Sequence, residues 1–420
     1  MKAILSLALR SLAARRATAA LAVLSIAVSV ALLLGVEKLR MEARASFANT
    51  ISGTDLIVGA RSGPIPLLLY SVFRIGNATN NISWDSYRTI AQNPNVSWTI
   101  PISLGDSHRG FRVLGTTGSY FDHYRYARTR TLSFVSGKRF DDLFDAVIGA
   151  DVARELGYRV GGAIVIDHGV GRIGFASHDD KPFRISGILA KTGTPIDRTV
   201  HVSLAAIEAI HVDWRGGSRK RGQQTATDVI RAMDLTPKAI TAVLVGLKSK
   251  FATFSVQREV NEYRGEPLLA ILPGVALQEL WNLMGTAETA LSVISIAVVA
   301  TGLMSMLTML LAGMNERRRE MAVLRSVGAR PSHVFSLLIA EATALAICGA
   351  AAGLALLYGL MFAVRGVLDA RFGLLIEIAL PDAGDMIRLG LVVAGGLVAG
   401  AIPAVLAYRR SLADGMNIRF

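Results

Sequence analysis

The sequence predicts a polytopic α-helical membrane protein, with four transmembrane helices and a large extracytoplasmic α+β domain between helices one and two. Three observations carry this. Four apolar runs are each long enough to cross a bilayer. About 240 residues between the first two runs read as mixed strand and helix. The basic residues collect on one side of the implied topology. Mean hydropathy, +0.43, is high for a soluble chain of 420 residues.

The apolar runs come first. Ala17–Val36 and Leu389–Tyr408 hold 20 uncharged residues each, and Ala290–Met314 holds 25. Val334–Val364 spans 31 residues with a single charge, Glu341. A membrane-crossing helix needs roughly 20 apolar residues, so these runs are transmembrane helices 17–36, 290–314, 334–364 and 389–408. A cleaved secretory signal is the alternative for the first, since Lys2 and Arg10 precede it. Its run exceeds the usual apolar core of about 7–15 residues, and we read it as uncleaved. Glu341 lies seven residues into its run, where an interfacial cap or ion pair competes with a gating role.

Orientation follows from Lys and Arg. Residues 1–16 carry a charge of +4, residues 315–333 carry +3, and the tail 409–420 carries +2. The loop 365–388 carries −1. Both termini and the 315–333 segment are therefore expected in the cytoplasm, and the loop 365–388 outside it. The formal net charge of +13 is then a topology signal. No nucleic-acid module accompanies it.

Residues 1–16 read as an amphipathic helix along the cytoplasmic interface, with Ile4, Leu5, Leu7, Ala8 and Leu12 on one side. Residues 37–273 form the external domain. Its expected strands are Phe111–Gly115, Ala146–Gly149, Ala163–Asp167, Phe183–Leu189, Val200–Ser203 and Ala242–Leu247, short and rich in Val and Ile. Helical patterns appear at Asp151–Leu156, Leu204–Ile210 and Phe254–Tyr263. This mixed order favours α+β over a regular βαβ sheet, in one domain or two small lobes. Residues 274–289 read as a stalk helix running into the second membrane helix, or as an ordinary packed helix. Arg215–Arg221, basic and Gly-rich, is expected to be a solvated loop.

Few residues point to chemistry. There is no phosphate-binding G-x-x-x-x-G-K-[ST] loop and no His-Glu-x-x-His, Cys-x-x-Cys or G-x-S-x-G motif. The one cysteine, Cys348, falls in the third membrane run and is expected to pack there. His168, His178, His201 and His211 cluster in sequence, beside Asp167, Asp179 and Asp180. Imidazole and carboxylate suit zinc. Their spacing matches no closed-site pattern and they fall on separate elements, so they read as surface or hydrogen-bonded histidines, with a metal site as the alternative. Gly349 with Gly353, and Gly396 with Gly400 ahead of Pro403, place small residues four apart, where helices approach closely in lipid, within a subunit or between two.

The layout of one helix, an external domain and three further helices combines with Glu316-Arg-Arg-Arg-Glu-Met-Ala-Val-Leu-Arg-Ser-Val-Gly-Ala329 after the second helix. Leu7–Leu12, Glu341-Ala342, Gly400-x-x-Pro-Ala404 and the pair Arg409-Arg410 add to it. Together they resemble the MacB-like/FtsX-like family of ABC transporter permeases, the type VII or mechanotransmission kind. Asp55–Arg61, Ser71–Asn77 and Thr192–Asp197 look like a branch apart from the family's macrolide exporter.

The resemblance implies a permease subunit in the bacterial inner membrane that is not itself an enzyme. Its partners would be a second copy of the chain and a cytoplasmic ABC ATPase subunit. A periplasmic adaptor or substrate-binding protein would be a further partner. The chain itself would carry no cofactor, with ATP and Mg on the ATPase. Glu316, Arg317, Arg318, Arg319, Glu320, Met321, Leu324, Arg325 and Gly328 would form the coupling segment that contacts the ATPase. Export or extraction of a lipoprotein, peptide or drug is the first functional expectation. Signal transmission to a periplasmic enzyme and a zinc-linked transport role are the alternatives.

Overall fold

Each apolar run lies within a helix longer than itself. In the computed structural model, which describes residues 2–127, 129–169, 176–215, 218–219, 225–372 and 378–416, the chain divides into two compact units. One is helical (residues 1–42, 285–366 and 376–420) and the other is the α+β domain (residues 43–284 and 367–375).

The helical unit begins with α1 (Lys2–Ala14), which gives way to α2 (Arg16–Thr50). A single helix then covers Pro273–Ser326, followed by Pro331–Phe372 and Ala383–Met416. Segments Arg16–Glu42, Pro273–Met314, Pro331–Val367 and Ala383–Arg409 are long and apolar enough to cross a membrane. The expected stalk, second membrane helix and start of the coupling segment are thus one helix. No proline interrupts residues 274–326, and Glu, Arg, Met, Ala and Leu past Met314 keep helical propensity high. Gly328, at φ +98°, supplies the left-handed turn that ends it, and Pro331 opens the next helix.

Ile26, Val30, Leu34, Met306, Leu310, Ala342, Leu345, Leu357 and Val392 form the core of this unit. A Cβ on Gly349 would lie 2.6 Å from the Ile26 Cβ, and one on Gly353 would lie 2.7 Å from the Ala27 oxygen. Gly396 and Gly400 face Ala346 and Ala342. Each of these four glycines faces a neighbouring helix of the same chain. Ser29 Oγ donates to the Val298 oxygen at 3.0 Å, joining two helices. Pro403 is buried inside the last helix.

Two residues sit differently from expectation. Cys348 is exposed on the outside of its helix and does not pack. Glu341, expected to cap or pair at the edge of the membrane, is fully buried within the protein.

The α+β domain is built on twelve strands: β1 (Leu56–Ala60), β2 (Val96–His108), β3 (Phe111–Thr116), β4 (Phe134–Gly137), β5 (Asp145–Ile148), β6 (Ala163–Ile164), β7 (Asp167–His168), β8 (Ala176–Ser177), β9 (Phe183–Leu189), β10 (Thr199–Ser203), β11 (Ala242–Leu247) and β12 (Leu268–Ile271). The order is β12-β1-β11-β2-β3-β10-β5-β9-β4, with β7 added beside β2, β8 beside β7, and β6 beside β9. Most pairs are antiparallel; β3–β10 and β5–β9 are parallel. Helices α3 (Ala150–Leu156), α4 (Leu204–His211) and α5 (Thr253–Asn261) pack on this framework.

The expected strand Ala163–Asp167 is instead two short ones. Between β6 and β7, the Val165 oxygen faces His108 Nδ1 at 2.5 Å and the Ile166 oxygen accepts the His178 amide at 3.0 Å. The carbonyls that a continuous strand would present are engaged elsewhere.

Candidate functional site

The strongest constellation of chemical groups lies at one edge of the β2–β3 region. Four elements contribute. Asp106 sits on β2 where the pairing with β3 shifts register between Leu104 and Ser107, a bulge that re-aims side chains. His168, on β7, is its cross-strand partner, and Ser107 Oγ donates to the Gly169 oxygen at 2.7 Å, pinning the end of β7. His178 follows β8 and is fixed by its backbone N–H, which donates to the Ile166 oxygen at 3.0 Å. His211 ends α4. Ser203 caps that helix by accepting the Ala206 amide at 3.0 Å. Gly115, where a Cβ would lie 2.6 Å from Ile207, lets α4 press onto β3.

One ligand atom from each of Asp106, His168, His178 and His211 lies within 4.8 Å of the others. His168 Nδ1 is 3.1 Å from both Asp106 Oδ1 and His211 Nε2, and His211 Nε2 is 3.8 Å from Asp106 Oδ1. Asp106 and His178 are buried; His168 and His211 are partly open to solvent. The Trp214 ring covers His178 and His168 at 4.7 and 5.2 Å between centroids. Burial, then the neighbouring His211, pushes the His178 imidazole down to about 4. The bond to Asp106 pushes His168 up, against the pull of burial.

His201 is not part of this group. Strand alternation on β10 turns Val200 and Val202 into one core and His201 to the opposite face, against Tyr120 and Phe121 at 5.2 and 6.2 Å. The carboxylate facing the three histidines is Asp106, not the adjacent Asp167, Asp179 or Asp180. Asp180 lies instead 3.4 Å from Lys181. Sequence spacing gave no sign of Asp106, because only the β2–β7 pairing brings residue 106 to residue 168.

A second polar group escaped the sequence reading. Lys38 pairs with Asp385 at 2.9 Å, Arg388 with Glu37 at 2.9 Å, and Arg40 with Glu37 and Glu288 at 2.9 and 3.6 Å. Opposite charges flanking three apolar runs were the available signal. These pairs tie three helices together beyond their apolar stretches.

Within the basic segment, the backbone of residues 316–326 is helical. The side chains of Glu316, Arg317, Arg318, Arg319, Glu320, Met321, Leu324 and Arg325 lie outside the described residues. Gly328 is described and ends the helix. Of the expected loop Arg215–Arg221, Trp214–Arg215 and Ser218–Arg219 form a two-stranded hairpin, and 216–217 and 220–224 lie outside the described residues.

Two family models match. Residues 19–263 match the MacB-like periplasmic core domain, and residues 292–414 match the FtsX-like permease C-terminal domain. The chain belongs to the MacB-like/FtsX-like permease family. The permease is 39% identical over 80 residues to two proteins named macrolide export ATP-binding/permease protein MacB, from Shewanella sp. ANA-3 and Shewanella oneidensis. That match covers 19% of the permease and 12% of each relative. Among solved structures, the periplasmic region of MacB from Actinobacillus actinomycetemcomitans aligns with a TM-score of 0.35 and 11% identity, over 56% of the permease and 95% of that chain. The extracellular domain of the ABC-type transporter YknZ from Gram-positive bacteria aligns with a TM-score of 0.30 and 12% identity, over 52% and 99%.

Proposed function

We propose that the permease couples ATP hydrolysis on a separate cytoplasmic ATPase to motion of its core domain, for export or extraction of a cargo such as a lipoprotein, peptide or drug. The single observation that supports this is the helix Pro273–Ser326. It carries residues of both units without a break and ends in the basic segment. A stroke received at Glu316–Arg325 has a continuous hydrogen-bonded path toward residue 273. Charge on Arg317, Arg318, Arg319, Glu320 and Arg325 orients the ATPase, while Met321 and Leu324 pack into its cleft.

Both termini and the coupling segment face the cytoplasm of a bacterial inner membrane, on the Lys/Arg distribution. Four helices from one chain need a mate to complete a pathway, so two copies act together with two ATPases. ATP and Mg reside on those partners.

The test is co-purification of the full chain with its candidate ATPase, comparing wild type with Glu320→Lys plus Arg325→Glu. Capture by wild type and release by the double reversal is the expected result. Binding that ignores both changes, or no ATPase at all, would return residues 315–333 to a topology signal.

A further inference from the structure

We propose that Asp106, His168, His178 and His211 form a binding site for a divalent transition ion, and that zinc is the ion whose coordination they fit. Three imidazoles and one carboxylate are a complete tetrahedral set. Calcium and magnesium take oxygen ligands and would leave three nitrogens unused. With bonds of about 2.0–2.1 Å, neighbouring ligand atoms around zinc stand about 3.3 Å apart. The pairs at 3.1, 3.1 and 3.8 Å already approximate that edge. No pair within the 4.8 Å cluster is more than about 1.5 Å too wide.

Two further observations point to a ligand. His178 is 1% exposed, and neither ring nitrogen has a hydrogen-bond partner. A buried polar group left unsatisfied is costly, and an ion bound at one of these nitrogens would relieve it there. His211 is held in the tautomer a metal requires. Its Nδ1 lies 2.7 Å from the Ile207 carbonyl, which can only accept, so Nδ1 carries the proton and Nε2 presents a lone pair to the cluster. A ligand histidine oriented through its second nitrogen by a backbone carbonyl is the usual outer-shell arrangement. Among the described residues, the charged partners of Asp106 are His168 and His211. The buried carboxylate therefore faces imidazoles rather than a lysine or arginine.

The four ligands come from β2, β7, the segment after β8 and the end of α4, so one ion would join four pieces of the domain. The only cysteine of the chain lies outside this domain, so no disulfide within the chain can do the same. The partial exposure of His168 and His211 leaves a route for the ion to enter from solvent. The inference does not depend on the coupling role, because ion binding needs no ATPase.

The test uses the full-length permease in detergent, carrying a tag free of histidine, stripped with EDTA and titrated with zinc chloride. Calorimetry should give one zinc per chain, and zinc should raise the thermal midpoint. His168→Gln and His211→Gln should each weaken binding by about 10–100-fold or more, the scale of disturbing even an outer-shell partner, and abolish the thermal shift. His123→Gln, in a ring stacked on Trp98 5.3 Å away, should behave as wild type. Cobalt in the unmodified chain gives a readout that requires no variant to fold. An intense visible absorption of four-coordinate cobalt supports the site. A weak six-coordinate spectrum, substoichiometric zinc, or affinity unchanged in both glutamine variants would overturn it.

Discussion

Replacing Lys181 with methionine isolates the energetics of the segment that carries the site. Lys181 is 3% exposed, and its Nζ lies 2.7 Å from Asp213 Oδ2. Asp213 is 6% exposed, and its Oδ1 accepts the Thr225 hydroxyl at 2.5 Å. Burial works to raise the Asp213 carboxyl, but the Lys181 and Thr225 bonds outweigh it and hold it below its ordinary value. A carboxyl depressed in the fold stabilises above its unfolded pKa and loses that contribution as the pH falls, so the measurement belongs near pH 7. Methionine keeps most of the side-chain volume and removes the charge, leaving a buried carboxylate without its cation. Such a break costs on the order of 3–5 kcal/mol. In a domain of this size 1 kcal/mol moves the midpoint by about 2–4 °C, so the expected loss is roughly 6–20 °C. Thermal unfolding of the full chain in EDTA, followed by tryptophan fluorescence, reads it. The double variant Lys181→Met plus Asp213→Leu should recover most of the loss, because an apolar pair replaces the ionic one. A single variant that moves the midpoint by less than about 2 °C would refute the argument and show the pair to be solvated.

Two other perturbations follow from the packing. Burial first, and the Arg74 charge second, push the His201 imidazole down to about 3. The unfolded chain therefore takes up this proton near pH 6.5 while the folded chain stays neutral, and stability falls as the pH drops from 6.5 toward 3. His201→Leu should flatten that limb by up to about 1.4 kcal/mol per pH unit. Urea unfolding of both proteins between pH 7 and 4.5 checks it, and parallel curves would count against it. In the helical unit, Gly349→Leu forces side-chain atoms into Ile26 and should cost about 1–3 kcal/mol in detergent stability. Gly359→Leu, where an added Cβ meets nothing within 4 Å, should be neutral; equal losses would mean that the two helices do not meet as described.

The membrane helices were legible because a run such as Ala290–Met314 has few other fates, and β9, β10 and β11 because Val and Ile alternate or cluster between turn residues. β1 was harder. All five of its residues are buried, so it shows no alternation, only the short apolar run Leu-Ile-Val-Gly-Ala. β2 was obscured by Pro101 and by the polar end Asp106-Ser-His, which reads as a loop until its pairing with β7 and the bulge at Leu104 are known. The site fails in sequence for the same reason. His201 is close to His211 along the chain, yet strand alternation sends it into a different core. Asp106 is far along the chain, yet is cross-strand to His168. Proximity in sequence reported composition, while pairing register decided which groups met.

The exposed position of Cys348 makes the permease its own spectroscopic ruler. The chain has one thiol, and it lies on the outer surface of its helix. A single nitroxide or fluorophore there labels each copy once, without background substitution of other cysteines. A lone copy gives no dipolar coupling or self-transfer, whereas a pair would give one distance, so the label reports directly whether two copies associate.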